Sequence, residues 1–128
     1  SASRTADVSG AAQNLVGKVD AIYLPTDNTI ISALGTVLAV GTDNKLPVFT
    51  GDTESVQKGS VASIGFDYFQ VGVETGAVVV RVLKGEKPGT IPVKNASGSN
   101  LVINAKAAAA MGVTIPAAVQ ARAKQVIN

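Results

Sequence analysis

Three times in its first 84 residues the chain passes from a short apolar run through a compact polar turn into helical periodicity. The turns are Tyr23-Leu24-Pro25-Thr26-Asp27-Asn28, Thr50-Gly51-Asp52-Thr53 and Gly65-Phe66-Asp67-Tyr68. Strand alternating with helix argues for a parallel sheet with helices packed on it. The apolar runs are short and nearly unbroken, which suits strands buried on both faces. The expected fold class is therefore α/β, a parallel sheet flanked by helices.

Val8, Ala11, Ala12, Leu15 and Val16 share one helix face, so the spacing predicts a first helix capped by Asp7 or Ser9 and stopped at Gly17. Residues 19–24 read as a buried strand that Pro25 ends, because proline has no amide for the ladder. On this reading Tyr23 is sheet core. Asp27 or Asn28 caps one helix, with Ile30, Ile31, Leu34, Val37 and Leu38 in a 3.6-residue period up to Gly41. Strands follow at 46–49 and 61–66, separated by a short helical segment that Thr53 caps and Gly59 closes. A helix over 69–84 carries Arg81 and Lys84 in its last turn and Gly85 at its end, a helix stop signal. Beyond residue 90 the pattern changes to small strands at 91–93 and 101–103 and a helix capped by Asn104. A final helix opens at Pro116 and carries Val119, Val126 and Ile127.

Composition removes several function classes. At 128 residues, 46% of them hydrophobic, the chain is one domain by length and can bury a core. Aromatics make up 4% and tryptophan is absent, too little stacking surface for a general single-stranded nucleic-acid binder; no nucleic-acid partner is expected. Residues 1–64 carry four basic and six acidic side chains, residues 65–128 seven basic and three acidic. Part of that second-half excess sits at a helix end, where cations complement the dipole. Without cysteine or histidine there is no serine–histidine triad, thiol nucleophile or histidine-containing metal site. No Walker A pattern and no GxGxxG after a strand appears, and no aspartate pair has a spacing that singles it out for acid–base work. The expectation is a binding protein, not an enzyme, without cofactor or metal. No run of about 18 apolar residues suggests a membrane span.

Ligands of open parallel sheets bind beyond the carboxyl ends of the strands, and all three polar turns lie there. Thr26, Asn28 and the amides after them suit a ligand carboxylate. Asp52, and with it Asp27 or Asp67, suits an ammonium group, and Tyr68 can cover an apolar ligand. Each has a plainer reading beside this: Asp27, Asn28 and Asp67 are common helix caps, and either Phe66 or Tyr68 faces the core.

Residues 18–30 (KVDAIYLPTDNTI), 46–76 (LPVFTGDTESVQKGSVASIGFDYFQVGVETG), 82–93 (VLKGEKPGTIPV) and 100–123 (NLVINAKAAAAMGVTIPAAVQARA) closely resemble one substrate-binding-protein family of ABC importers. The resemblance runs through nearly the whole chain in order. It implies a type I periplasmic-binding-protein architecture, two hinged α/β lobes that close on a small ligand. Members look to be binders of amino acids, aromatic ones in several cases. The family's PTDN turn falls on Pro25 to Asn28, its GD turn on Gly51 and Asp52, and its strand-exit segment on Gly65 to Tyr68.

Family members are about twice this long, so the chain resembles a C-terminal half. Residues 1–66 would be the ligand-binding portion of the second lobe. Residues 67–128 would hold the hinge crossover and elements that complete the first. The implied partners are a small-molecule ligand, an ABC permease, and the missing N-terminal half or a second copy. The implied location is periplasmic or lipid-anchored at the cell surface, with the export signal outside this chain. A ligand-sensing regulatory domain of the same fold is the alternative.

Overall fold

A computed structural model describes residues 3–66, 68–95 and 99–128. After a 3-10 turn at Thr5–Asp7 come α1 (Val8–Gln13), β1 (Ile22–Leu24), α2 (Asn28–Ile31), α3 (Leu34–Asp43), β2 (Val48–Thr50) and α4 (Glu54–Gln57). Then follow β3 (Ala62–Phe66), α5 (Tyr68–Leu83), a 3-10 turn at Pro88–Thr90, β4 (Ser99–Asn104), α6 (Ala105–Ala110), α7 (Ala117–Gln120) and β5 (Gln125–Ile127). By its contacts the chain divides into two compact units, Ser1–Gly65 with Asn100–Asn128, and Phe66–Ser99. The chain leaves the first unit after Gly65 and re-enters it at Asn100.

In the first unit β1 pairs with β2 in parallel, with Ile22, Tyr23 and Leu24 opposite Val48, Phe49 and Thr50. β4 pairs with β5 in parallel, and β3 neighbours β4. Val61 joins the two sheets: its amide donates to the Val48 carbonyl at 2.8 Å and its carbonyl accepts from the Asn104 amide at 2.9 Å. The protein is thus α/β with parallel strands. Ile22, Leu24, Val48 and Val61 meet Val8 and Ala12 of α1, Leu34, Val37, Leu38 and Val40 of α3, and Ala108 and Met111 of α6 in one apolar core.

Asn104 serves three elements. Its side-chain oxygen accepts from the Ala107 amide at 2.8 Å, the expected cap of α6, and its side-chain amide donates to the buried Val56 carbonyl at 3.0 Å. Gly41 is the tightest approach of helix to strand. A Cβ there would stand 2.6 Å from Val48 Cγ2 and 2.7 Å from the Leu46 carbonyl oxygen, so only hydrogen fits.

Several elements differ from expectation for definite reasons. The single helix expected from Asp27 or Asn28 to Gly41 is two: α2 stops at Ile31, and the backbone leaves helical geometry at Ala33, φ −108 and ψ 17, before α3 begins. The strand expected at 91–93 does not form; Pro92 supplies no amide and a 3-10 turn precedes it. The final helix is four residues long, and Val126 and Ile127 lie instead in β5, where β-branched side chains suit a strand opposite Ile103 and Asn104. Tyr23 is 67% exposed, so strand alternation puts it on the face away from Ile22 and Leu24, not in the core.

In the second unit α5 ends as expected. The Glu86 amide donates to the Arg81 carbonyl at 3.1 Å and the Gly85 amide to Val82 at 2.9 Å, the double bond pattern that closes a helix on a left-handed glycine. Arg81 also makes a two-pronged bond to Glu86, at 2.7 and 2.5 Å, which raises the guanidinium pKa and lowers that of the carboxyl. None of the sixteen residues of α5 is buried.

Substitutions at two positions test the packing of the first unit, measured by thermal or urea unfolding of the full-length polypeptide. Gly41→Ala forces a methyl against a backbone carbonyl and is expected to cost about 1–3 kcal/mol. Asn104→Ala removes a cap and leaves the Val56 carbonyl without its partner, for about 2–4 kcal/mol. Asn104→Asp keeps the cap acceptor but loses the donor, and should fall between wild type and Asn104→Ala.

Candidate functional site

Parallel strands end on the same edge, so the turns after β1 and β2 are brought side by side by the sheet itself. The Gly51 amide donates to the Leu24 carbonyl at 2.9 Å, fixing the second turn against the first. A Cβ on Gly51 would stand 3.1 Å from both Thr26 Oγ1 and the Tyr23 hydroxyl, so the missing side chain is what lets these groups close on the turn. A Cβ on Gly65 would lie 3.2 Å from the Gly51 carbonyl oxygen and from the amide and methyl of Thr53. The exit of β3 is therefore packed against the turn that holds Asp52.

Thr26, Asp27 and Asn28 are exposed along this edge, and Asp52 is half-buried. Asp27 caps α2, its carboxylate accepting from the Ile30 amide at 3.0 Å. That amide is no longer open to a ligand carboxylate. The Asn28 carbonyl takes the hydroxyl and the amide of Ser32, while the Asn28 side chain lies exposed.

Asp52 is held more firmly. One carboxylate oxygen accepts from the Ser55 amide at 2.8 Å and the other from Ser55 Oγ at 2.8 Å. The cap of α4 is thus Asp52 and not Thr53, whose side chain makes no capping bond. Thr50 Oγ1 donates to the Asp52 carbonyl at 3.1 Å and stands 2.9 Å from Ser60 Oγ, which is therefore the donor between the two hydroxyls. Thr50, Ser55 and Ser60 are all buried, so the turn rests on a dry polar network. Two bonds leave an ionised carboxylate with acceptor capacity to spare, so the cap and a contact to an incoming cation are compatible.

Tyr68 opens α5 in the second unit and is exposed; Asp67 lies outside the described residues. The structure thus brings together Thr26, Asp27, Asn28 and Asp52. It adds Tyr23, whose hydroxyl reaches the Gly51 turn, and the supporting Ser55, Ser60 and Thr50. The period-2 alternation of β1 was the signal for Tyr23. Ser55 stands three residues after Asp52, the spacing at which a carboxylate caps a helix. Among the described residues no three histidine, cysteine, aspartate or glutamate side chains cluster as a metal site, and no helix is long and apolar enough to cross a membrane.

The family model described as ABC transporter substrate binding protein matches residues 1–127. A tyrosine-binding protein of Clostridioides difficile is 37% identical over 102 residues, which is 80% of this chain and 30% of that protein. A conserved domain protein from Vibrio cholerae superposes with a TM-score of 0.86 at 45% identity, over 98% of this chain and 42% of that one. An ABC domain from Streptococcus pneumoniae, solved in complex with L-Trp, also gives a TM-score of 0.86, at 40% identity and over 98% and 43% of the two chains. The chain therefore spans well under half the length of these relatives. With a family match over residues 1–127 and a shared fold at 40–45% identity, the chain belongs to the ABC transporter substrate-binding protein family.

Proposed function

We propose that the protein containing this chain captures an amino acid, an aromatic one by preference, and delivers it to the permease of an ABC importer outside the cytoplasm. The observation that supports this most is the edge where the Thr26–Asn28 and Gly51–Asp52 turns meet at the carboxyl ends of β1 and β2. It offers donors suited to a carboxylate beside a carboxylate suited to an ammonium, which is the pairing an α-amino acid presents. The tyrosine-binding and L-Trp-bound relatives support the aromatic preference.

On this reading Thr26 Oγ1, the Asn28 side chain and the amides near it receive the ligand carboxylate. Asp52, oriented by its two bonds from Ser55, receives the ammonium. Asp27 mainly holds α2, Asp67 can share the ammonium, and Tyr68 covers the apolar part of the ligand. The opposing wall comes from the rest of the polypeptide, and closure of two lobes on the ligand is the state the permease reads. The 128-residue chain alone pairs with the remainder of the protein or with itself. The apolar residues of α5, with Phe69 81% and Leu83 80% exposed, favour such pairing.

Calorimetry of the full-length protein with a panel of amino acids tests the ligand class, with heat expected from tyrosine or tryptophan. Absence of both heat and thermal shift with every amino acid would sink it. Asp52→Ala should weaken binding by about 2–4 kcal/mol, some 30- to 1,000-fold, by removing one partner of a charged pair. Asp27→Ala should cost about 1 kcal/mol of stability through the lost cap and leave affinity within a few-fold. If a lone 128-residue chain sediments as a stable monomer at micromolar concentration, the pairing claim is wrong.

A further inference from the structure

Tyr23 stands on the face of β1 turned away from Ile22 and Leu24. Its register partner on β2 is Phe49, and Gly51 follows Phe49 by two residues, on the same side of that strand's course. Two residues of strand span about 6.6 Å, within reach of an aromatic side chain that leans along the strand. Tyr23 leans toward the carboxyl end. A Cβ on Gly51 would stand 3.1 Å from the Tyr23 hydroxyl and 3.1 Å from Thr26 Oγ1. The two hydroxyls therefore flank one methyl-sized gap, at the edge where the turns after β1 and β2 meet.

Two observations give that gap a use. Gly51 is not among the glycines with positive φ, so its backbone conformation is open to other residues; what glycine supplies here is room. The two hydroxyls are also uncommitted. Among the described residues neither has a hydrogen-bond partner, whereas the hydroxyls of Thr50, Ser55 and Ser60 in the same turn region are all engaged.

We propose that Tyr23 is a ligand-contacting residue, its hydroxyl converging with that of Thr26 on the carboxylate of the bound amino acid while Gly51 leaves the space between them open. The assignment rests on the amino-acid reading above and adds to it a residue from within a strand. Hydroxyls donating to an ionised oxygen make short, strong bonds, and a carboxylate has lone pairs for both. The ligand ammonium is the poorer partner for Tyr23, because the half-buried Asp52 carboxylate offers it a charged acceptor in the next turn.

Calorimetry of the full-length protein, wild type and Tyr23→Phe, with L-tyrosine, L-tryptophan and the carboxamide of each tests this. The variant keeps the ring and loses one oxygen, so the Tm of the ligand-free protein should not move. Its affinity for the acid that wild type binds should fall by about 10- to 100-fold, the loss of one hydrogen bond to a charged group. The amide has no carboxylate, so both proteins should treat it alike, whether both bind it or neither does. An affinity for the acid within about threefold of wild type overturns the assignment and leaves the amino-acid reading standing. A loss of the same size for acid and amide, or a lowered Tm in place of a selective loss, marks a structural hydroxyl and overturns it too. A wild-type protein that binds neither acid removes the aromatic amino-acid reading itself, and this assignment with it.

Discussion

The structure depends on one backbone position, Val61. Its amide reaches the Val48 carbonyl on one side and its carbonyl receives the Asn104 amide on the other. Residues 61 and 104 are far apart in sequence, and closing that loop costs entropy that grows only slowly with its length. Asn104 adds two side-chain bonds at the same place, to the Val56 carbonyl and from the Ala107 amide. The returning segment is thereby locked beside β3. Because the pairing of β1 with β2 is parallel, the turns that follow these strands reach the same edge. The edge at which the candidate residues meet is a consequence of that topology before any ligand group is considered.

The polar groups at the edge do two things at once. Asp27 and Asp52 each cap a helix, a contribution of about 1 kcal/mol apiece. A charged contact to a ligand is larger, about 2–5 kcal/mol when one partner is removed. The smaller interaction fixes the geometry that the larger one needs: Asp52, gripped at both oxygens by Ser55, does not have to be ordered when a ligand arrives. Capping and ligand binding are therefore not rival readings of Asp52.

Local signals in the sequence located most elements, because they act over three or four residues. The Asn104 cap and the Gly85 stop are of this kind, and both appear where their chemistry puts them. Events decided by distant partners were not legible. β5 is three residues long and exists because β4 lies beside it, and the bare face under Tyr23 depends on what covers it. The break between α2 and α3 falls at Ala33, within an apolar period that runs on past it and gives no sign of a stop. The candidate turn residues were read from their position after strands, and those after β1 and β2 do share one edge. The grip of Ser55 on Asp52 was hidden behind the expectation that Thr53 caps α4.

The proposed contacts also set a limit on what this edge can discriminate. Thr26, Asn28 and Asp52 address a carboxylate and an ammonium, groups common to every α-amino acid, so they supply affinity without choosing a side chain. Selection among amino acids requires contacts to the side chain itself, and a pocket built to match an aromatic ring and a phenol rejects analogues through the polar groups left unpaired. At this edge Tyr23, exposed and with its hydroxyl beside Gly51, is the residue with apolar surface of that kind. The proposed contacts in the Ser1–Gly65 and Asn100–Asn128 unit thus address only what all amino acids share. On the proposed reading, the choice among amino acids needs contacts beyond these three residues.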